Sequence, residues 1–199
     1  HESIHDKILS QIAKRAQEIR IGDPLEETSQ MGPLATLSQL NNIKSTVVDA
    51  TANGATLIYG GGQPAHLKKG WYCEPTIVDC PNQNLGIVQR EMFGPVVSVL
   101  RFRDEAEAIK LANDTRYGLA SGVFTTNIGR ALRVTKSLRA GIVWVNTYRM
   151  VSPMAPFGGY KDSGYGRESG LEAIYDYTRS KTVWLNTSPD LIADPFVMQ

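Results

Sequence analysis

The sequence is poor in cysteine and histidine. Its 199 residues include two Cys and three His. Cys73 and Cys80 are too few for a disulfide framework, so a reducing compartment, the cytoplasm, is expected, although the two thiols could still pair with each other. His1, His5 and His66 are not grouped with cysteines or carboxylates at ligand spacing. We therefore predict no metal site and expect these histidines to face solvent.

Long apolar runs and an excess of either charge are also missing. No apolar stretch approaches the roughly 20 residues that span a bilayer, and no signal peptide pattern is found. Lys and Arg number 21 against 20 Asp and Glu, a net charge of +1, and the basic residues are scattered. Nucleic acid and membrane partners are therefore not expected.

Two further features are lacking. Gly60-Gly61-Gly62 follows an apolar run but leads into Gln63-Pro64, so no glycine-rich phosphate motif opens a strand-to-helix turn. The chain begins at His1 without an initiator Met, which suggests that a segment precedes it.

Apolar periodicity predicts alternating helices and strands. Ser3 is expected to cap a first helix with Ile4, Ile8, Ile12, Ala16 and Ile19 inward, and a second helix has Leu37, Leu40, Ile43, Val47 and Val48 inward. Asp104 and Asn127 are predicted to cap later helices. The predicted helices are 4–19, 36–52, 105–113, 127–138 and 171–175, and the extended segments are 55–59, 71–78, 96–102, 119–125, 142–145 and 182–185. This order predicts an α/β fold with a doubly wound, mostly parallel sheet.

The segment from Gly141 to Glu168 is predicted to be the functional centre. It begins with the apolar strand 142–145 and continues through prolines and glycines that break regular structure. Apolar residues such as Met154 and Phe157 argue against disorder. A long ordered loop in a compact domain is usually functional, so we expect it to lie against a site.

The motifs of this loop resemble the aldehyde dehydrogenase superfamily. The resemblance rests on Asn146-Thr147, Pro156 to Lys161, Ser163-Gly164 and Gly166 to Glu168, with Glu91 to Val96 upstream and Tyr177 to Val183 downstream in the same order. It implies a catalytic domain over residues 1–177, an oligomerisation strand within 178–188 and a C-terminal tail over 189–199. The implied assembly is a homodimer or homotetramer formed through residues 182–185.

The resemblance also implies NAD or NADP as cofactor. Glu91 would hold the nicotinamide ribose, since a carboxylate offers two acceptors to a diol, and Phe93 would pack beside the nicotinamide ring. Gln39 would lie near the cofactor, although Asn42 stands where relatives commonly have Lys. The alternatives are a surface Glu91 beside Arg90, a core Phe93 and an exposed polar Gln39.

The same resemblance implies a small-molecule aldehyde as substrate. Phe157 would line its tunnel, and Tyr148, Met150 and Met154 would shape the pocket, unless these side chains merely pack the loop. Asn146 would support the catalytic loop. Gly158, Gly159 and Gly164 are expected to serve backbone conformation.

The family's catalytic cysteine and general-base glutamate would precede His1, as would its dinucleotide-binding domain. The sequence is therefore expected to be the C-terminal part of an NAD(P)-dependent aldehyde dehydrogenase, inactive alone. One alternative is a stand-alone, non-catalytic oligomerisation or interaction module. A weaker one is an enzyme that uses Cys73, although reactive thiols need an activating environment.

Overall fold

A computed structural model describes residues 1–190 and 196 of the chain. Strands and helices alternate along most of it, and 3-10 turns cover Glu2–Ile4 and Lys161–Ser163. The helices are α1 (His5–Gln17), α2 (Leu37–Ala52), α3 (Gly86–Gln89), α4 (Glu105–Asn113), α5 (Ile128–Ser137) and α6 (Ala173–Asp176). The strands are β1 (Thr56–Tyr59), β2 (Thr76–Asp79), β3 (Val96–Val99), β4 (Ala120–Val123) and β5 (Ile142–Val145).

Side-chain caps begin three of the longer helices. The side chains of Thr36, Asp104 and Asn127 each accept a hydrogen bond from the backbone N–H three residues ahead. Each bond satisfies one of the amide groups that a helix start leaves without a partner. The caps predicted at Asp104 and Asn127 are confirmed. The cap predicted at Ser3 is wrong, because the His1 side chain accepts from Ser3 N and a 3-10 turn precedes α1.

Helix α1 buries only part of the face predicted for it: Ala16 is buried and Ile12 packs against the same cluster, as predicted. Its buried residues are His5, Leu9 and Ala16, whereas Ile4 and Ile8 are exposed. Both faces of α1 carry aliphatic residues, so periodicity alone did not distinguish them. Leu9 and Ala16 pack with Ile77 of β2 in a small core cluster.

The main core lies between α2 and the first sheet. Leu40, Ile43 and Val47 of α2 are buried as predicted, whereas Leu37 and Val48 are exposed. Partners of the α2 residues come from β2 and from the segments on either side of it. The buried set is Leu40, Ile43, Val47, Ala50, Ala55, Cys73, Val78, Cys80, Leu85, Ile87 and Met92.

The described strands form two sheets. In the first sheet, of order β1-β2-β3, β2 is antiparallel to β1 and parallel to β3. In the second sheet β4 and β5 are parallel and joined through α5. The α/β class is confirmed. A doubly wound sheet remains a prediction, because the described residues show no pairing between β3 and β4.

The segment after α6 has no regular structure as far as Asp190. No strand forms at Thr182–Leu185, which corrects that prediction for the single chain, and Val183, Trp184 and Leu185 are exposed. The pairing of this segment with another subunit stays a prediction. Most of the tail predicted over 189–199 lies outside the described residues. No helix within the described ranges is long and apolar enough to cross a membrane.

Candidate functional site

The segment Glu91–Gly94 presents two of the predicted cofactor residues at the surface. Glu91 is exposed, and the Phe93 side chain is 69% exposed with its backbone in the left-handed region, at φ 46°. Met92, between them, is buried in the main core. Gly94 has no space for a side chain, since a Cβ there would collide with Ile43. Core packing on both sides therefore holds Phe93 outward, which excludes the alternative of a core Phe93.

Gln39 lies beside Phe93. Its Nε2 donates to Phe93 O at a long 3.5 Å, which makes a weak hydrogen bond. Its Oε1 is buried and has no hydrogen-bond partner among the described residues. A buried amide oxygen without a donor is rare in folded proteins and calls for a missing partner. Gln39 is partly buried, so it is not the freely exposed position that was its alternative.

Asn146 joins the ends of β4 and β5. Its Oδ1 accepts from Thr125 N at 2.8 Å, and its Nδ2 donates to Thr125 O at 2.9 Å. Its own N–H donates to Val123 O at 2.9 Å. The residue has φ 54°, a left-handed conformation that Asn tolerates better than most residues. Asn146 thus ends the parallel ladder and turns the chain into the loop.

The loop after Asn146 is closed by backbone contacts. Phe157 and Glu168 exchange both backbone hydrogen bonds, at 2.6 and 2.7 Å. A Cβ on Gly141 would collide with the carbonyl oxygen of Gly158, so the loop packs directly on the start of β5. Gly158 lacks positive φ, and a Cβ on it would collide with Gly166 O within the loop, so its role is close packing. Gly164, at φ 108°, serves backbone conformation as predicted.

Part of the predicted substrate set lines one cavity of about 810 Å³. Tyr148 and Phe157 border it, but Met150 and Met154 do not. Both methionines are largely exposed. The lining is Leu119, Ala120, Ser121, Gly122, Trp144, Tyr148, Arg149, Val151, Ser152, Pro153, Phe157, Glu168 and Ser169.

The cavity wall also includes residues that the sequence did not single out. Trp144 was assigned only to a buried strand, yet its Nε1 donates to Met150 O at 2.8 Å. Its ring meets Tyr148 edge-on at a centroid distance of 5.6 Å. Arg149 and Glu168 supply the charges. Glu168 belongs to one of the motifs named above and Arg149 to none, and no local pattern could show which side chains border the cavity.

Glu91 borders a neighbouring cavity of about 520 Å³. Leu119, Ala120 and Ser121 line both cavities. The start of β4 is therefore a common wall between the space beside Glu91 and the space beside Phe157. Glu91 therefore adjoins the space bordered by Tyr148 and Phe157, whereas Phe93 and Gln39 line neither of these two cavities.

Both cysteines are buried and free. Burial raises the pKa of the Cys73 thiol, and burial likewise raises the pKa of Cys80. A thiolate is the nucleophilic form, so both thiols are in environments that suppress reactivity. Neither environment suits a catalytic cysteine, which argues against the alternative built on Cys73.

One histidine is buried, contrary to expectation. His5 Nε2 lies 3.0 Å from Asp79 Oδ1, and its side chain is 3% exposed. Arg101 also approaches Asp79, at 3.4 Å. The Asp79 contact lies within ion-pair distance but lacks hydrogen-bond geometry, so the buried Nε2 of His5 has no hydrogen-bond partner among the described residues. Within the described part of the chain, no group of three or more His, Cys, Asp or Glu is arranged to hold a metal ion.

Comparison with known proteins identifies the family of this chain. The sequence profile described as "Aldehyde dehydrogenase family" matches residues 1–183. The chain therefore belongs to the aldehyde dehydrogenase family.

Two curated relatives are similar over most or all of the chain. One is (Z)-2-((N-methylformamido)methylene)-5-hydroxybutyrolactone dehydrogenase of Acinetobacter baylyi, 51% identical over 100% of this chain and 40% of the relative. The other is betaine aldehyde dehydrogenase of Brucella anthropi, 44% identical over 93% of this chain and 38% of the relative. The chain thus spans about 40% of the length of the curated relatives it matches.

A solved structure agrees with the fold. Betaine aldehyde dehydrogenase of Staphylococcus aureus in complex with NAD+ superposes with a TM-score of 0.90 at 42% identity. The match covers 96% of this chain and 38% of the solved one.

Proposed function

We propose that this chain forms the nicotinamide-facing and aldehyde-facing walls of an NAD-dependent aldehyde dehydrogenase that oxidises an aldehyde to a carboxylic acid. The observation that carries the proposal is the exposed Phe93, held in a left-handed conformation beside Glu91 and the unpartnered Gln39 oxygen. Membership of the family and the NAD+ complexes of similar structures support it.

The residues present fit a nicotinamide nucleotide. Glu91 offers acceptors for ribose hydroxyls, and Phe93 offers an exposed aromatic face. The Oε1 of Gln39, beside Phe93, has no hydrogen-bond partner among the described residues and could accept a hydrogen bond from the nucleotide. Glu91, Phe93 and Gln39 would hold NAD, which when bound accepts a hydride from the substrate.

The adjoining cavity would hold the aldehyde. Trp144, Tyr148 and Phe157 give it an aromatic side that excludes water and orients an apolar chain. Asn146 would fix the position of this wall, because its two side-chain hydrogen bonds to Thr125 connect the end of β5 to the end of β4. The family chemistry needs a thiolate nucleophile. Because Cys73 and Cys80 are buried and burial raises the pKa of both thiols, we propose that a cysteine outside these 199 residues supplies it.

Assembly and location complete the proposal. We propose that the exposed segment Val183-Trp184-Leu185 pairs with the sheet of another subunit in a homodimer or homotetramer. Both thiols are free, in keeping with the reducing cytoplasm that we propose as the compartment.

The test compares the 199-residue chain with the longest reading frame that contains it. NADH formation is measured by its near-ultraviolet absorbance with several aldehydes, and binding of NAD by calorimetry. We expect turnover only in the longer protein, and a rise of about tenfold or more in the KM for NAD in its Glu91→Gln variant. Turnover by the short chain would contradict the proposed role of an outside cysteine. Absence of both turnover and NAD binding in the longer protein would favour the non-catalytic interaction module.

A further inference from the structure

Arg149 places a positive charge at the larger cavity. It follows Tyr148 in the loop, borders the 810 Å³ cavity and is exposed. It is the one cation among the described residues that line this space. The wall beside it is aromatic, from Trp144, Tyr148 and Phe157, so a ligand here would meet an apolar surface with a charge at its margin.

The backbone of Arg149 is held in an unfavourable conformation. Its φ of 57° lies in the left-handed region, which Gly or Asn adopts more readily than a long side chain. Strained residues cluster at ligand sites because the surrounding structure keeps them there. Trp144 contributes to this by binding Met150 O, the next carbonyl along.

The guanidinium of Arg149 is available for a ligand. Arg116 pairs with Asp162 at 2.5 Å, and Arg167 donates to Gly159 O at 2.9 Å. By contrast, among residues 1–190 and 196 no hydrogen bond or ion pair involves the Arg149 side chain. Guanidinium presents its donors in a planar fork that matches a carboxylate.

We propose that Arg149 selects aldehydes that carry a carboxylate at the end remote from the carbonyl group. The inference rests on the proposed function and names its substrate class. The apolar wall would hold the intervening carbons, and Arg149 would receive the anion. The proposal separates this chain from the relatives named for betaine aldehyde, whose substrate carries a quaternary ammonium.

Glu168 offers the opposite charge to the same cavity. A cationic aldehyde would be drawn to Glu168 and repelled by Arg149, so the charge preference of the enzyme decides between the two. We favour Arg149 over Glu168 as the residue that binds the charged end of the substrate. The fold keeps Arg149 at a strained backbone position, whereas Glu168 has no positive φ.

The experiment uses the longest reading frame that contains this chain. The kcat/KM values are measured for succinate semialdehyde, butanal and betaine aldehyde, which are anionic, neutral and cationic and similar in size. We expect the anionic aldehyde to be preferred. In Arg149→Met the kcat/KM for succinate semialdehyde, divided by the kcat/KM for butanal, should fall about 10- to 100-fold. Most of the fall should come from a higher KM for succinate semialdehyde. Met retains a Cβ at the same φ, so the backbone cost is unchanged.

Three further variants sharpen the test. Arg149→Lys keeps the charge but not the planar fork of donors. Its ratio of kcat/KM values for succinate semialdehyde and butanal should therefore lie between those of the unsubstituted protein and Arg149→Met. Arg149→Glu should shift preference towards betaine aldehyde. Arg15→Met, on an exposed face of α1 with a side chain 62% exposed, removes the same charge elsewhere and should leave the ratio unchanged.

Failure of the inference and failure of the proposed function give different results. Suppose that butanal is oxidised and that the ratio of kcat/KM values for succinate semialdehyde and butanal is the same in the unsubstituted protein and in Arg149→Met. That result would overturn the inference but not the proposed function. So would a preference for betaine aldehyde in the unsubstituted protein. If none of the three aldehydes is oxidised, the proposed function fails and the inference with it.

A measurement on the unsubstituted protein covers the case in which Arg149→Met does not fold. Salt screens charge pairs at an accessible site. The KM for succinate semialdehyde should therefore rise with NaCl concentration while the KM for butanal stays level. Equal salt dependence of the two KM values would overturn the inference.

Discussion

Left-handed backbone conformations are concentrated in the two segments that we assign to cofactor and substrate. Among the described residues, the non-glycine examples are Phe93, Asn146, Arg149, Lys161 and Ser169. Each costs roughly 1–2 kcal/mol relative to an ordinary conformation. The described α-helices and strands carry none of them, and Lys161 begins the 3-10 turn Lys161–Ser163. Arg149 and Ser169 border the 810 Å³ cavity, and Asn146 and Lys161 hold the loop through side-chain hydrogen bonds. Phe93 is exposed in the segment that carries Glu91.

Asn146 can be tested by separating its side chain from its backbone conformation. Asn146→Gly loses the two bonds to Thr125 but adopts φ 54° freely, whereas Asn146→Ala loses both bonds and also bears the left-handed cost. We expect destabilisation of about 1–2 kcal/mol for Gly and about 1 kcal/mol more for Ala, from urea unfolding. Equal stability of the two variants would show that the left-handed conformation is not retained.

The thiols give a second prediction at this scale. Burial raises the pKa of both Cys73 and Cys80, so their thiolate fractions in the folded protein are lower than in the unfolded chain. An aromatic disulfide reagent at neutral pH should label neither residue in the native chain and both after denaturation in guanidinium. Rapid labelling of Cys73 in the native chain would contradict its burial.

The sign of the pH effect follows from the same shifts. Because the folded protein binds these two protons more tightly, its stability contribution from the thiols is complete below the ordinary thiol pKa. It is lost as pH rises through the higher folded values. Stability measured by urea unfolding should therefore decline on the alkaline side, and a Cys73→Ala, Cys80→Ala variant should decline less.

At the scale of elements, the C-terminal end of α4 is a joint between several segments. Lys161 Nζ donates to Asn113 O and Thr115 O, each at 2.9 Å. Gln83 and Gln89 donate to Asp114 O from the other side, at 2.8 and 2.9 Å. Positive charge and amide donors suit the exposed carbonyls at a helix end. The joint connects the segment that leads to Glu91 with the segment that ends the substrate loop.

Removing the Lys161 side chain should loosen this joint. Lys161→Met leaves two partly buried carbonyls without their charged donor, and we expect a loss of about 2–3 kcal/mol in urea unfolding. Lys136→Met, at an exposed position in α5, is the matched control and should change stability little. A Lys161 variant as stable as the control would show that these bonds contribute no net stability.

The elements that could be predicted are those specified by local signals. The Asp104 cap and the apolar run at 142–145 predict α4 and β5 with the bounds observed. The inward face of α1 was predicted correctly at Ala16 but wrongly at Ile8, because Ile8 and Leu9 are adjacent and both apolar. Contacts between residues far apart in the sequence could not be predicted from local patterns. Examples are the placement of β3 and β4 in different sheets and the positions of Trp144 and Arg149 at the cavity.

For the whole molecule, the exposed apolar segment after α6 predicts association. Trp184 is 93% exposed, and Val183 and Leu185 beside it are also uncovered. Burying such side chains at a subunit boundary contributes about 1.5–3 kcal/mol each. In the longest reading frame, Trp184→Glu should weaken association about a hundredfold or more by light scattering. Thr187→Glu adds the same charge nearby as control, and equal assembly in both variants would contradict a role for Trp184.

The closed loop has a consequence for how this molecule can change over evolutionary time. The Phe157–Glu168 bridge and the contact of Gly158 with Gly141 anchor the loop without using the side chains of residues 148–155. Those side chains are largely exposed and contribute little to the core. Substitutions there should cost little stability, and under the proposed function they would alter which substrate is accepted. Within one continuous stretch of chain, the residues that set the proposed specificity are thus separate from the backbone contacts that fix the fold.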